Sequence, residues 1–171
     1  MDKLFIGIDP GMNGGVTFIK KEEQVYQIKP FRCPRDAKEM AGILEVPFAT
    51  GQFERKDVIL FIEHVWSFPG DGRVGAFRFG YNYGLWKGIA SAFGLDIYNI
   101  PPKKWMYSFD MPSKMQSRER KRWLKELAES LYPNTKITFN TSDSVLIAHY
   151  AMECYNNHDM HESEEGVGVI K

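Results

Sequence analysis

Cysteine is nearly missing from the chain. Only Cys33 and Cys154 occur in 171 residues, and their separation rules out a C-x-x-C redox or zinc motif. A disulfide framework is excluded, and two reduced thiols in a cytosolic protein are the expectation. No apolar run reaches membrane-span length, and the N-terminus lacks a signal-peptide pattern, so no membrane partner is expected. Internal repeats and low-complexity segments are also absent. Net charge is missing too: 22 basic side chains face 22 acidic ones, so the total does not announce a nucleic-acid partner. What the chain has is apolar bulk, 43% hydrophobic and 14% aromatic, enough for one domain with a full core and no disulfides.

The zero net charge hides an uneven distribution. Between Lys103 and Lys125 eight basic residues stand against Asp110 and Glu119, so this segment is +6 and the remainder −6. Glu153, Asp159, Glu162, Glu164 and Glu165 crowd the other end. Such asymmetry permits an anionic partner at one place on the surface.

Hydrophobic patterning predicts strands over 3–9, 14–20 and 24–29, with the Asn13-Gly14-Gly15 cluster supplying positive φ for a hairpin turn. Asp36 can cap a helix running toward Thr50, with a break near Pro47. The run VILFI ending in Glu63 suits a central strand buried on both faces. After the Pro- and Gly-punctuated loop WSFPGDGRVG, a helix is predicted over 74–93, with Gly94 ending it. Gly80, Gly84 and Gly88 fall on one face of it, where another element could come close. A short strand over 96–100 stops at Pro101-Pro102, and helices follow over 116–131 and from Ser142 or Asp143 to Tyr155. Residues 1–156 form one domain in this reading, and 157–171 a polar, acidic tail that frays. Three hairpin-connected strands followed by alternating elements give an α/β fold with a mixed sheet flanked by helices. The crossover makes strands one and four parallel neighbours.

Asp9 and Glu63 then lie at the C-terminal ends of adjacent central strands, where open α/β sheets place their sites. Asp143 opens the last helix. Carboxylates gathered in one place repel one another and need shared protons or bound cations. Oxygen ligands without a Cys/His set favour Mg²⁺ or Mn²⁺, and a pair of such ions suits in-line hydrolysis of a phosphodiester. Each acid also has a plain structural role open to it. Asp9 can form an Asx turn ahead of Pro10-Gly11, Glu63 a salt bridge, and Asp143 a helix cap or first-turn charge. His64, His149, His158 and His161 show no spacing that makes them ligands.

GIDPG at 7–11 resembles the first-strand motif of the RuvC-like Holliday junction resolvases of the RNase H-like superfamily. FIEHVW at 61–66 resembles the second acidic strand, and RFGYNYGLWKGI at 78–89 the next helix in phage-type members. IPPKKW at 100–105, SKMQSRERKRWLKELAESLYP at 113–133 and SDSVLIAHY at 142–150 follow in the family's order. The resemblance implies an RNase H-like mixed sheet of five strands, three antiparallel and two parallel. It implies a homodimeric, metal-dependent endonuclease that cuts four-way DNA junctions, with two Mg²⁺ or Mn²⁺ ions per site held by Asp9, Glu63 and Asp143. No nucleotide cofactor is implied, and the phage-type motifs point to a viral or prophage protein in a host cytoplasm. At the family's fourth acidic position this chain has Asn140, or Phe139 one residue earlier. Asn140 can coordinate a cation only as a neutral amide. The site works with three carboxylates, or Asn140 is an inactivating substitution, or it merely turns the chain before the helix.

Lys114 matches a family position near the reacting phosphate, and Lys103 or Lys104 is the nearest substitute for a second active-site lysine. Arg118, Lys121, Arg122 and Lys125 recur at i, i+3, i+4, i+7 and are candidates for phosphate contacts or a solvated face. Arg73 joins the DNA-contact candidates. Trp66 matches a family Phe and, with Phe68, could stack on unpaired bases or fill the core. Phe77, Phe79, Tyr81, Tyr83 and Trp86 are expected to pack the helix or line a dimer face. The rivals are a junction-binding module with a degenerate acidic site, favoured by Asn140, and an actin-like ATPase. The ATPase shares the D-x-G turn, but 171 residues leave no room for its second lobe.

Overall fold

Side-chain alternation along two central strands decides what meets in this protein. The computed structural model describes residues 3–22, 25–64, 66, 70, 72–158, 160–161 and 169–170. Strand β1 (Leu4–Asp9) lies parallel to β4 (Val58–Glu63), with Leu4 beside Val58 and Ile8 beside Ile62. Successive side chains of a strand point to opposite faces. Leu4, Ile6, Ile8, Leu60 and Ile62 therefore share one core, while Phe5, Ile59 and Phe61 share the other. By the same parity Asp9 and Glu63 fall on the Phe5 and Phe61 face.

Three further strands complete a sheet of order β3-β2-β1-β4-β5. Strands β2 (Gly15–Glu22) and β3 (Val25–Arg32) continue it antiparallel on one side, and β5 (Ile97–Ile100) is parallel to β4 on the other. This is the expected mixed sheet. β3 runs on to Arg32, past the predicted end, because an outer strand tolerates the missing N–H of Pro30. The hairpin turn departs from expectation: no residue from Asn13 to Gly15 has positive φ, and the turn closes through Gly14 N–H donating to the Gly11 carbonyl at 2.9 Å.

Helices α1 (Ala37–Ala49) and α2 (Arg73–Ala92) cover one face. Asp36 caps α1 as predicted, its Oδ1 accepting from Glu39 N–H at 2.9 Å. Pro47 does not break α1; the helix absorbs one lost bond in its last turns and buries the ring. Gly94, at φ +68°, follows the end of α2. Phe77, Phe79 and Tyr81 on α2 are exposed rather than packed, whereas Trp86 is fully buried. A Cβ added at Gly80, Gly84 or Gly88 would meet nothing within 4 Å among the described residues, so the glycine face is open.

Helices α3 (Pro102–Tyr107), α4 (Ser117–Leu131) and α5 (Ser142–Asn156) cover the acid face. The sequence reading missed α3, because Pro101-Pro102 ends β5 but Pro102 also starts a helix, where its missing N–H costs nothing. Ten of the fifteen α5 residues are buried, so the helix runs through the core and shows no polar stripe. Beyond it, Met160–His161 pairs with Val169–Ile170 as β6 and β7, a short ribbon where a fraying tail is expected. No helix among the described residues is long and apolar enough to cross a membrane.

Candidate active site

Asp9 ends β1, Glu63 ends β4, and Asp143 lies in the first turn of α5. All three are half-buried on the α5 side of the sheet. Close backbone packing sets α5 there. Gly7 has no side chain, and a Cβ on it would lie 2.3 Å from Ala148 N and 2.4 Å from the Ser144 carbonyl oxygen. Above it the Thr17 and Ser144 hydroxyls meet at 2.8 Å, with Ser144 donating to the Thr141 carbonyl at 2.9 Å.

The acids act on one another electrostatically. Burial, then the charge of Asp143, pushes the Asp9 carboxyl up to about 6, against the Gly11 N–H and Lys121. Burial again leads at Glu63, followed by the charge of Asp9, and raises it to about 8. Asp143 adds to that rise, while the Trp105 indole and the charge of Arg120 oppose it. Asp143 is itself raised by burial, against the Ser142 hydroxyl, Lys121 and Arg120. Near neutral pH the group therefore retains a proton, shared within a coupled set.

Asp9 does form the Asx turn, accepting from Gly11 N–H at 3.2 Å, and Gly14 packs so closely that a Cβ there would meet the Asp9 carboxyl at 2.7 Å. That turn is held from α2 as well, where buried Asn82 donates to the Pro10 carbonyl at 2.6 Å. Among the described residues Glu63 makes no ion pair; its Oε1 accepts from Trp105 Nε1–H at 3.0 Å. Asp143 is not the cap of α5, a position held by Thr141, but accepts from the Ser142 hydroxyl at 3.0 Å.

Could these residues hold a metal? The donors are carboxylate oxygens that repel one another in a recess, the chemistry that suits a hard divalent cation. Among the described residues, however, no three His, Cys, Asp or Glu side chains are gathered tightly enough to ligate one ion together. The acids lie within electrostatic reach without forming a closed cage. Asn140 donates from Nδ2 to the Asn13 carbonyl at 2.8 Å, tying the approach to α5 onto the β1–β2 turn.

The cations whose charge acts on the acids are Arg120 and Lys121 of α4. Helical periodicity grouped Lys121 with Arg118, Arg122 and Lys125 and left Arg120 out, since it cannot tell which side of α4 meets the acids. Arg118, Lys121 and Arg122 line a recess of about 690 Å³ with Phe139, which is 55% exposed. Arg122 pairs with Glu126 at 2.7 Å, Lys125 pairs with Glu129, and the Lys125 ammonium lies 5.6 Å from the Phe139 ring centre. Lys114 is exposed in the loop before α4. Lys103 and Lys104 lie on α3, and Arg73 starts α2. Trp66 is 54% exposed with its ring 3.8 Å from that of His64, so it is no core residue. Phe68 lies outside the described residues.

The structure resembles a solved Thermus thermophilus RuvC, at 14% identity and a TM-score of 0.52, over 92% of this chain and 96% of that one. T. thermophilus RuvC in complex with Holliday junction substrate gives 16% identity and a TM-score of 0.56 over the same shares. The protein has the RuvC-like fold. No family model matches the sequence, and no curated protein matches it either. At this identity the likeness concerns architecture, and the RuvC-like sheet and helices are what carry Asp9, Glu63 and Asp143 to one side.

Sequence reasoning missed Trp105, whose indole holds Glu63. Trp105→Phe removes that donor and raises the Glu63 pKa further, because a bond to the charged form is lost. Carboxyl ¹³C NMR should show Glu63 titrating at higher pH than in the wild type, and any hydrolysis should acquire a more alkaline profile.

Proposed function

We propose that the protein is a divalent-metal-dependent endonuclease that cuts four-way and other branched DNA as a homodimer. One observation carries this reading: three acids from β1, β4 and α5, far apart in sequence, lie buried on the acid face of a RuvC-like sheet, close enough that the charge of Asp143 adds to the rise of Asp9 and both add to that of Glu63. Asp9, Glu63 and Asp143 would hold Mg²⁺ or Mn²⁺, two ions per site. When bound, such ions supply Lewis acidity for the attacking water and the leaving oxygen.

The chain's own residues supply the rest. Arg120 and Lys121 place positive charge beside the acids, where a scissile phosphate would need it. Lys114, with Lys103 or Lys104, would assist from the α3–α4 side, as the resemblance implies. The recess along α4, with Arg118, Lys121 and Arg122 around Phe139, suits the phosphates of an arm next to the cut. Trp66, exposed just beyond Glu63, offers a ring to an unpaired base at the branch point. The open face of α2, with Val74, Phe77, Tyr81 and the bare glycines, suits a second copy of the chain. The β1–β2 turn to which Asn140 bonds gives that amide a structural task, which fits a site of three carboxylates.

The test is nicking of a synthetic four-way junction with Mg²⁺ or Mn²⁺ against EDTA. Strand-specific nicks in metal alone support the reading. Tight binding with no product in any metal overturns it in favour of the junction-binding module. Arg118→Ala should weaken junction binding evenly across sequences and lower the salt slope by about one.

A further inference from the structure

We propose that a second cleft, on the opposite face of the sheet from the acids, binds an unpaired DNA strand leaving the branch. The proposal rests on the branched-DNA reading above for the identity of its anionic polymer. The cleft, of about 740 Å³, lies between α1 and the β2–β3 hairpin. Phe18, Phe31 and Phe53 line it. Phe18 is nearly buried and meets Phe31 edge-on with ring centres 6.0 Å apart, while Phe31 stays 41% exposed. Exposed Lys29, Arg32 and Arg35 line the same cleft, as does Lys20, whose ammonium sits 5.4 Å from the Phe53 ring centre. Glu39 is the one acid in the described lining.

Aromatic surface beside a row of cations matches the needs of a single strand. Its phosphates meet the cations and its unstacked bases find a ring. A duplex arm would leave the apolar floor unused, because its bases are already stacked. A β-strand from a protein partner is disfavoured, since the outer strand β3 carries Pro30, which has no N–H to offer. The cleft also begins near the acids. Arg32 is in register with Gly15, and Gly15 with Asp9. Two strand spacings put the Arg32 backbone roughly 10 Å from that of Asp9. Arg32 Nη2 donates to Asn13 Oδ1 at 3.4 Å, and the carbonyl of that same Asn13 is the one held by Asn140. A strand displaced at the branch could therefore pass over the rim of the sheet and along β3.

The test is fluorescence anisotropy of labelled oligo(dT), in EDTA so that nothing is cut, for the wild type, the double variant Lys29→Glu/Arg35→Glu, and Phe31→Leu. The charge reversals should weaken oligo(dT) binding at least tenfold and Phe31→Leu about fivefold, while affinity for a fully paired four-way junction stays unchanged. Melting temperatures confirm that the variants fold, and both charge reversals are at exposed positions. Unchanged oligo(dT) affinity overturns the proposal, and is also the outcome if the cleft serves an acidic peptide of a protein partner. Equal losses for oligo(dT) and paired junction overturn it too, since the residues would then be a general phosphate surface. Because the assay needs no cleavage, a protein that never nicks DNA fails the nuclease reading without altering this result.

Discussion

Asp9→Asn should lower the proposed metal-dependent nicking by ~10³-fold or more and, without divalent ions, raise the melting temperature. The substitution keeps the shape of the side chain and an oxygen for the Gly11 N–H bond at 3.2 Å. It removes a charge that adds to the burial-driven rise of Glu63, and the charge a cation would need. Both acids have folded pKa values above their ordinary ones, about 6 for Asp9 and about 8 for Glu63. Their contribution to stability is therefore complete below the usual carboxylate range and is lost as pH rises through those values. The metal-free wild type should melt at least about 5 °C lower at pH 9 than at pH 5, a kcal/mol or two for a chain of this size. The Asn variant lacks the lower step of that loss. At the proposed site Mg²⁺ would compete with the retained proton, so its binding should release protons near pH 7 and restore stability on the alkaline side. Thermal melts across pH in EDTA and in Mg²⁺, beside the nicking assay, check each part. Near-wild-type nicking by the Asn variant would remove Asp9 from the proposed machinery.

That two of the acids share a face was legible in the sequence because strand alternation is a strict local rule. Counting by twos along LFIGID and VILFIE places Asp9 and Glu63 together once the strands are parallel neighbours, and the crossover made them so. The neighbours of the acids were not legible. Trp105 reaches Glu63 from 42 residues further on, and Asn82 reaches Pro10 from 72, across contacts no local period encodes. Arg120 was passed over because periodicity groups side chains on a helix without saying which group faces inward. The aromatics of α2 misled for a related reason. A large ring is expected inside, yet Phe77 is 74% exposed, and an aromatic face left open looks, in sequence, like one that is buried. Pro101-Pro102 carries two signals at once, the end of β5 and the start of α3.

Gly7 looked like one more residue of a buried strand, and its substitution is expected to have the largest effect on the fold. A Cβ there would meet Ala148 N at 2.3 Å, the Ser144 carbonyl at 2.4 Å and Ala148 Cα at 2.8 Å, all backbone atoms with no rotamer to turn away. Relief requires α5 to lift from β1. α5 is bound into the core along most of its length, with Val145, Leu146, Ile147 and Ala148 all fully buried. Gly7→Ala should therefore cost about 3 kcal/mol or more, at the upper end of overpacking effects, and lower the melting temperature by roughly 6–12 °C. The displaced helix also carries Asp143. In protein that remains folded, the charge of Asp143 should act less on Asp9, and the Asp9 carboxyl should titrate closer to its ordinary value in ¹³C NMR. Denaturant melts and that titration separate two outcomes that activity alone would merge, a fold that is merely weaker and a site that has come apart. A Gly7→Ala protein as stable as the wild type would mean that α5 does not rest on β1 as closely as the structure shows, and that Asp143 reaches the other acids by some other route.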